Sequence, residues 1–212
     1  EQKSGKQHSR HTAYQNKQGF FVFEGPEKLK DGMYIVAGQS KSKYFDFFLT
    51  DNQHIEFQCD PLNVVNTMQV KGSDDNIAFY SYIRYLGSKQ LEIEPLNKWI
   101  KANPNRKDST DIIKAQIDAI DQEAKTYIKN FFTSNPTFLS ANFVKASNEP
   151  DYLQYITSAE GKIDSTKIYP TYKAHYFDNF TFSDHRLIYT PVFAQKVDFY
   201  FDKLVVPVRD SL

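Results

Sequence analysis

The chain has 212 residues, with 26 Lys+Arg set against 26 Asp+Glu and so no formal net charge. That balance argues against a nucleic-acid-binding domain, which carries a basic stripe, and against a polybasic membrane-surface module. A single cysteine, Cys59, rules out an internal disulfide, a Cys-rich zinc site and a Cys-x-x-Cys redox pair within these residues.

Hydrophobic residues make up 40% of the chain, enough for it to fold, and no apolar run approaches the roughly 18 residues of a membrane-spanning helix. The unusual figure is 18 Phe and 14 Tyr. Such a set either fills a core, with Tyr hydroxyls at its rim, or stacks on sugars, peptides or bases.

In chain order, the stretch from Glu1 to His11 is polar and lacks the apolar segment of a signal peptide. The expectation is a targeting segment already removed, or a start inside a longer protein. Asn16-Lys17-Gln18-Gly19 is a turn sequence in which Gly19 can take a positive φ. It leads into Phe20-Phe21-Val22-Phe23, which reads as a strand. Asp31-Gly32 introduces another at Met33–Ala37. Two more follow at Tyr44–Leu49 and His54–Cys59, parted by Thr50-Asp51-Asn52-Gln53. In the last of these, His54, Glu56 and Gln58 alternate with Ile55, Phe57 and Cys59, the pattern of a strand with one wet face.

The pattern changes at Gly72-Ser73. Ser73 reads as an N-cap, and Asp74 and Asp75 favour the positive end of a helix carrying Ile77, Tyr80, Ile83 and Leu86. Pro95 is expected to kink or interrupt it. The clearest helix spans about 109–132. Its Ile113, Ile117, Ile120, Ala124, Tyr127 and Phe131 step by four and three, a seam for packing on a neighbouring helix. Asn135-Pro136 is expected to open a third helix through about 146, another lies near 171–176, and Thr190-Pro191 starts a last one through about 204. The fold class read from this order is α+β: an antiparallel β domain at 1–72, then a helical domain at 73–212.

Motifs for chemistry are sparse. His8 and His11 are three residues apart but lack a third ligand. His175 and His185 flank Asp178 and Asp184, a mixed nitrogen and oxygen set whose spacing matches no zinc motif. Cys59 falls on the apolar phase of its strand, which favours an inert thiol over a nucleophile. The chain holds no Gly-x-Ser-x-Gly, phosphate-binding Gly loop or His-Glu-x-x-His. We therefore assign no catalytic, cofactor-binding or metal-binding residue. The segment of interest is His175, Tyr176, Asp178, Asn179, Asp184, His185 and Arg186, an aromatic-rich loop between two helices. Ser183 or Asp184 could cap a short turn there, and Arg186 could pair with Asp178 or Asp184. Such dense local bonding fixes a loop; a ligand site is the other reading.

From Tyr172 to Phe193 the residues form Tyr-x-x-His-Tyr-Phe-Asp-Asn-x-x-Phe-Ser-Asp-x-Arg-Leu-x-x-Thr-Pro-Val-Phe. This string resembles the accessory region preceding the thioredoxin-like domain of TlpA-type thiol-disulfide interchange proteins of gut Gram-negative bacteria. Gly19–Gly25 with Asp31–Val36 is similar to the small β domain that opens such proteins. Val70-Lys71-Gly72-Ser73 with the following helix is similar to its junction with the helical accessory domain. Both accessory regions are domains of unknown function.

The resemblance begins near Gly5, which implies that the first strand or two of the β domain is missing. It also implies a thioredoxin-like domain with Cys-x-x-Cys beyond Leu212, and export to the periplasm or envelope by a signal or lipid anchor outside these residues. No catalytic residue carries over. The expected function is a non-catalytic accessory and interaction region of a periplasmic thiol-disulfide oxidoreductase. Its partners would be that thioredoxin-like domain, client proteins or a second copy, with no cofactor, no nucleic acid and no membrane contact of its own. The alternative is an envelope binding module that takes a glycan or peptide through exposed aromatics.

Overall fold

A computed structural model describes residues 11–205 and the backbone of 2–3 and 6–7. The fold is α+β, with strands before helices. By its internal contacts the chain forms two units. One is His54–Ala141; the other is the chain up to Gln53 together with the chain from Asn142 onward. This division differs from the single cut at residue 72 expected from the sequence. The pairing of the strands and the return of the chain account for the difference.

In the discontinuous unit, β1 (Gln2–Lys3) pairs with β2 (Lys6–Gln7), and β3 (Gly32–Ala37) pairs antiparallel with β4 (Lys43–Leu49). The register sets Met33 opposite Phe48 and Tyr34 opposite Phe47, with a bulge between Val36 and Ala37. Burial does not alternate where this hairpin enters the core. Met33, Tyr34, Phe48 and Leu49 are all buried, so both faces are covered at that end. Phe48 packs on Phe143, ring centroids 5.6 Å apart. Gly32 is required here because a Cβ would stand 2.6 Å from Tyr189 Cβ and 2.9 Å from the Tyr189 carbonyl oxygen.

The expected strand at Phe20–Phe23 is not formed. The turn before it is: Gly19 has φ +88°, and Asn16 Oδ1 accepts from the Gln18 and Phe20 amides at 3.0 and 2.9 Å. Beyond it a single bridge joins Phe21 to Gln15, and the run then meets Gly25 and Pro26 without a strand ladder. Phe20 and Phe21 are 66% and 60% exposed.

In the contiguous unit, β5 (Glu56–Gln58) pairs antiparallel with β6 (Gln69–Lys71), and α1 (Val64–Thr67) lies between them in sequence. The expected alternation holds: His54, Glu56 and Gln58 are exposed, whereas Ile55, Phe57 and Cys59 are half-buried. Helix α2 (Asp74–Ala102) is capped by Ser73, whose hydroxyl accepts from the Asn76 amide. It continues through Pro95 rather than breaking. Pro95 and Leu91, whose carbonyl loses its helical donor, are both exposed, so water can satisfy that oxygen. The buried face of α2 is Asp75, Asn76, Phe79, Tyr80 and Tyr82; the expected Ile77 is exposed.

Helix α3 (Lys107–Ser134) turns its whole expected seam inward, from half-buried Ile113 to buried Phe131. It meets α2 antiparallel. Tyr82 sits against Phe131, Tyr85 stacks on Tyr127 with centroids 3.9 Å apart, and Lys89 bonds Glu123 at 2.7 Å. Helix α4 (Leu139–Ser147) begins three residues later than Pro136 suggested, and Pro136 lies in a turn. The carboxylate of Asp75, buried on α2, accepts from the Leu139 and Ser140 amides at 2.8 and 3.0 Å. A residue distant in sequence thus caps α4 and sets its first turn.

Candidate functional site

The segment singled out from the sequence follows α5 (Ile168–His175) and precedes α6 (Pro191–Phe199). Successive turns carry it. The Asp178, Phe180 and Asp184 amides donate to the His175, Phe177 and Thr181 carbonyls at 2.8–3.0 Å. A 3-10 turn, His185–Tyr189, then leads into Thr190-Pro191, with Pro191 at the first helical position as expected.

Asp184 is the hub. It caps the 3-10 turn by accepting from the Arg186 amide at 3.2 Å, and it takes the Arg186 guanidinium in a fork, Nε and Nη2 each at 2.8 Å. Asn142 Nδ2 adds a fourth bond at 2.7 Å. Burial by itself would raise the Asp184 carboxyl, but the bonds from Arg186 and Asn142 win and hold it below the usual carboxylate range. Of the two partners open to Arg186, Asp184 is the one it takes.

His175 Nδ1 lies 2.6 Å from Asp178 Oδ2, and its ring stacks on Tyr155 with centroids 3.9 Å apart. Asn179 donates to the Asn148 carbonyl at 3.2 Å. Tyr176 is buried among aromatic rings, stacked on Phe199 at 5.6 Å and near Phe177 and Tyr200. His185 is exposed. The histidine and aspartate set is therefore split: His175 joins Asp178, and Asp184 joins Arg186. Among the described residues no group of three or more His, Cys, Asp or Glu side chains is placed to hold a metal ion. His8 lies outside the described residues. Cys59 is half-buried, and burial, then the neighbouring Asp60 charge, pushes its thiol up, away from the reactive thiolate.

Beside this loop the structure has a feature not foreseen from the sequence. A pocket of about 230 Å³ is lined by Ser147, Glu149, Tyr176, Val192, Gln195, Lys196 and Phe199. The stem of Lys196 is buried, while its ammonium still meets water, for no buried side-chain nitrogen among the described residues lacks a partner. It stands 4.5 Å from the centre of the Tyr176 ring, a cation–π contact. Burial lowers its pKa, and the Glu149 charge pulls the other way. Glu149 itself accepts from the Tyr172 hydroxyl, which burial and that bond hold above the usual tyrosine range. The sequence did carry a signal, because Val192, Lys196, Tyr200 and Leu204 recur every fourth residue. A lysine therefore occupies an apolar phase of the last helix.

No family model, curated protein or solved structure matches this chain.

Proposed function

We propose that the chain is a non-catalytic accessory and interaction region of an exported thiol-disulfide oxidoreductase. In this reading a thioredoxin-like domain beyond Leu212 carries the Cys-x-x-Cys pair, and the region described here spaces it, pairs it with a second copy or presents client proteins to it. The resemblance of Tyr172–Phe193 to such accessory regions supplies the parent. The observation that carries the non-catalytic part is the Asp184 hub. The Asp184 carboxylate, the most enclosed acid of the loop, is spent on holding Arg186, Asn142 and the turn in place.

The test is the intact mass and thiol count of the mature native gene product. Two further thiols that oxidise and reduce reversibly as a pair are expected. A mature product whose only thiol is Cys59 would overturn the reading. The second reading, an envelope module that binds a glycan or peptide, draws on the segment Phe20–Phe23, whose apolar side chains are all more than half exposed. Saturable binding to a glycan or peptide panel, lost in Phe21→Ser, would favour it.

A further inference from the structure

The run Phe20–Phe23 has an open edge whose use does not depend on the proposed redox parent. The turn before it fixes which way its backbone points. The Asn16 amide donates to the Phe20 carbonyl at 2.8 Å, and the Phe20 amide donates to Asn16 Oδ1 at 2.9 Å, so Phe20 turns its polar groups toward the preceding chain. Successive residues of an extended chain present theirs to opposite sides. The amides and carbonyls of Phe21 and Phe23 therefore point away from Gln15, and among the described residues they make no hydrogen bond. No turn or bend intervenes before Pro26. Such an edge is a template for a further strand.

Four consecutive apolar side chains flank that edge, from 66% exposed at Phe20 to 54% at Phe23, so neither face is covered. The charges at its ends select the partner. Lys17 precedes the run and Glu24 and Glu27 follow it. None of the three forms an ion pair among the described residues, whereas Lys28 is held by Asp51 at 3.3 Å. An antiparallel copy of the same strand brings each basic start to an acidic end. A two-fold axis at Val22 then sets Phe21 of each copy opposite Phe23 of the other. Each of these pairs exchanges both of its main-chain hydrogen bonds and sets ring beside ring, and Val22 meets Val22 between them. We propose that the chain self-associates through Phe21–Phe23, two copies pairing antiparallel about Val22. So small a contact is weak, with a dissociation constant of about 0.1–1 mM.

The experiment is sedimentation equilibrium of the whole 212-residue chain at about 10 µM and about 1 mM. A monomer is expected at the lower concentration, and at least about half of the chains in dimers at the higher. Phe23→Pro removes an outward amide while keeping an extended backbone, and should leave the chain monomeric at both. A native chain that is monomeric at both, or a dimer that survives Phe23→Pro, overturns the proposal. Cross-linking tests the register in a Cys59→Ala background. Val22→Cys meets its own copy across the axis at about 4.5 Å between Cα atoms, within reach of a disulfide. Phe20→Cys lies roughly 13 Å from its own copy, out of reach. Oxidation should link Val22→Cys into a dimer and leave Phe20→Cys unlinked. Equal linkage of the two, or none at Val22→Cys, overturns the proposal, and this pattern decides alone if Phe23→Pro does not fold. Saturable binding of an apolar peptide to a chain that stays monomeric would also overturn it and would favour the peptide reading.

Discussion

Helices α2 and α3 and the loop around Asp184 are stabilised in opposite ways. The helical pair joins along a seam, ring on ring near Phe131 and Tyr127, with half-buried Ala124, Ile120, Ile117 and Ile113 continuing the line. The loop depends on a few bonds that occur once each, four of them on a single carboxylate. A seam spreads its stability over equivalent members and loses it in small steps. A hub concentrates it, so removing one side chain strands several donors together.

That contrast can be broken by mutation. The largest effect is expected at Asp75, the one hub inside the helical unit. Asp75→Ala leaves the buried Leu139 and Ser140 amides without an acceptor and should cost about 3–5 kcal/mol, read by denaturant unfolding. Asp184→Ala should follow at about 2–4 kcal/mol, because Arg186 and Asn142 lose their shared partner. Within the seam, Tyr127→Ala should cost about 2 kcal/mol through the lost stack on Tyr85. Half-buried Ile120→Ala should cost about 1 kcal/mol. A seam mutation that outweighs both hub mutations would show the contrast to be wrong.

The pH dependence sharpens the same point. Asp184 has a folded pKa below its unfolded value of about 3.9. Its contribution is therefore fully present above that value and is lost as pH falls through it toward the folded pKa. The stability gap between the native chain and Asp184→Asn should be widest near neutral pH and should close below about pH 4. Thermal melts across that range would measure it. The smallest effect is expected at Phe21→Ser: its side chain is 60% exposed, and the change should stay within about 0.5 kcal/mol.

The contrast also explains what was legible in the sequence. Periodic elements were: the α3 seam, the alternation at His54–Cys59, the Ser73 cap and the Pro191 helix start all follow from spacing and local capping rules. Elements set by distant partners were not. Phe20–Phe23 has the composition of a strand, but a strand needs a neighbour and the chain supplies one bridge. Helix α4 starts where Asp75 caps it rather than where Pro136 suggests. At the site, the choice of Asp184 over Asp178 by Arg186 is a tertiary outcome, fixed partly by Asn142. Lys196 was visible as a charge in an apolar phase, but its pocket requires Glu149 and Tyr176 to be brought beside it.

The interrupted unit has a consequence for synthesis. Lys30 donates to the Tyr189 hydroxyl across 159 residues, and Phe48 waits for Phe143. Everything the helical unit needs has left the ribosome once Ala141 is out. The β3–β4 hairpin, made much earlier, has by then none of its partners from the returning chain. Contacts this far apart in sequence slow folding and leave apolar strands uncovered meanwhile. During translation Met33, Phe48 and Leu49 therefore wait without their later partners until the chain from Asn142 onward has been made. That interval, rather than the finished structure, is where a holding chaperone would act.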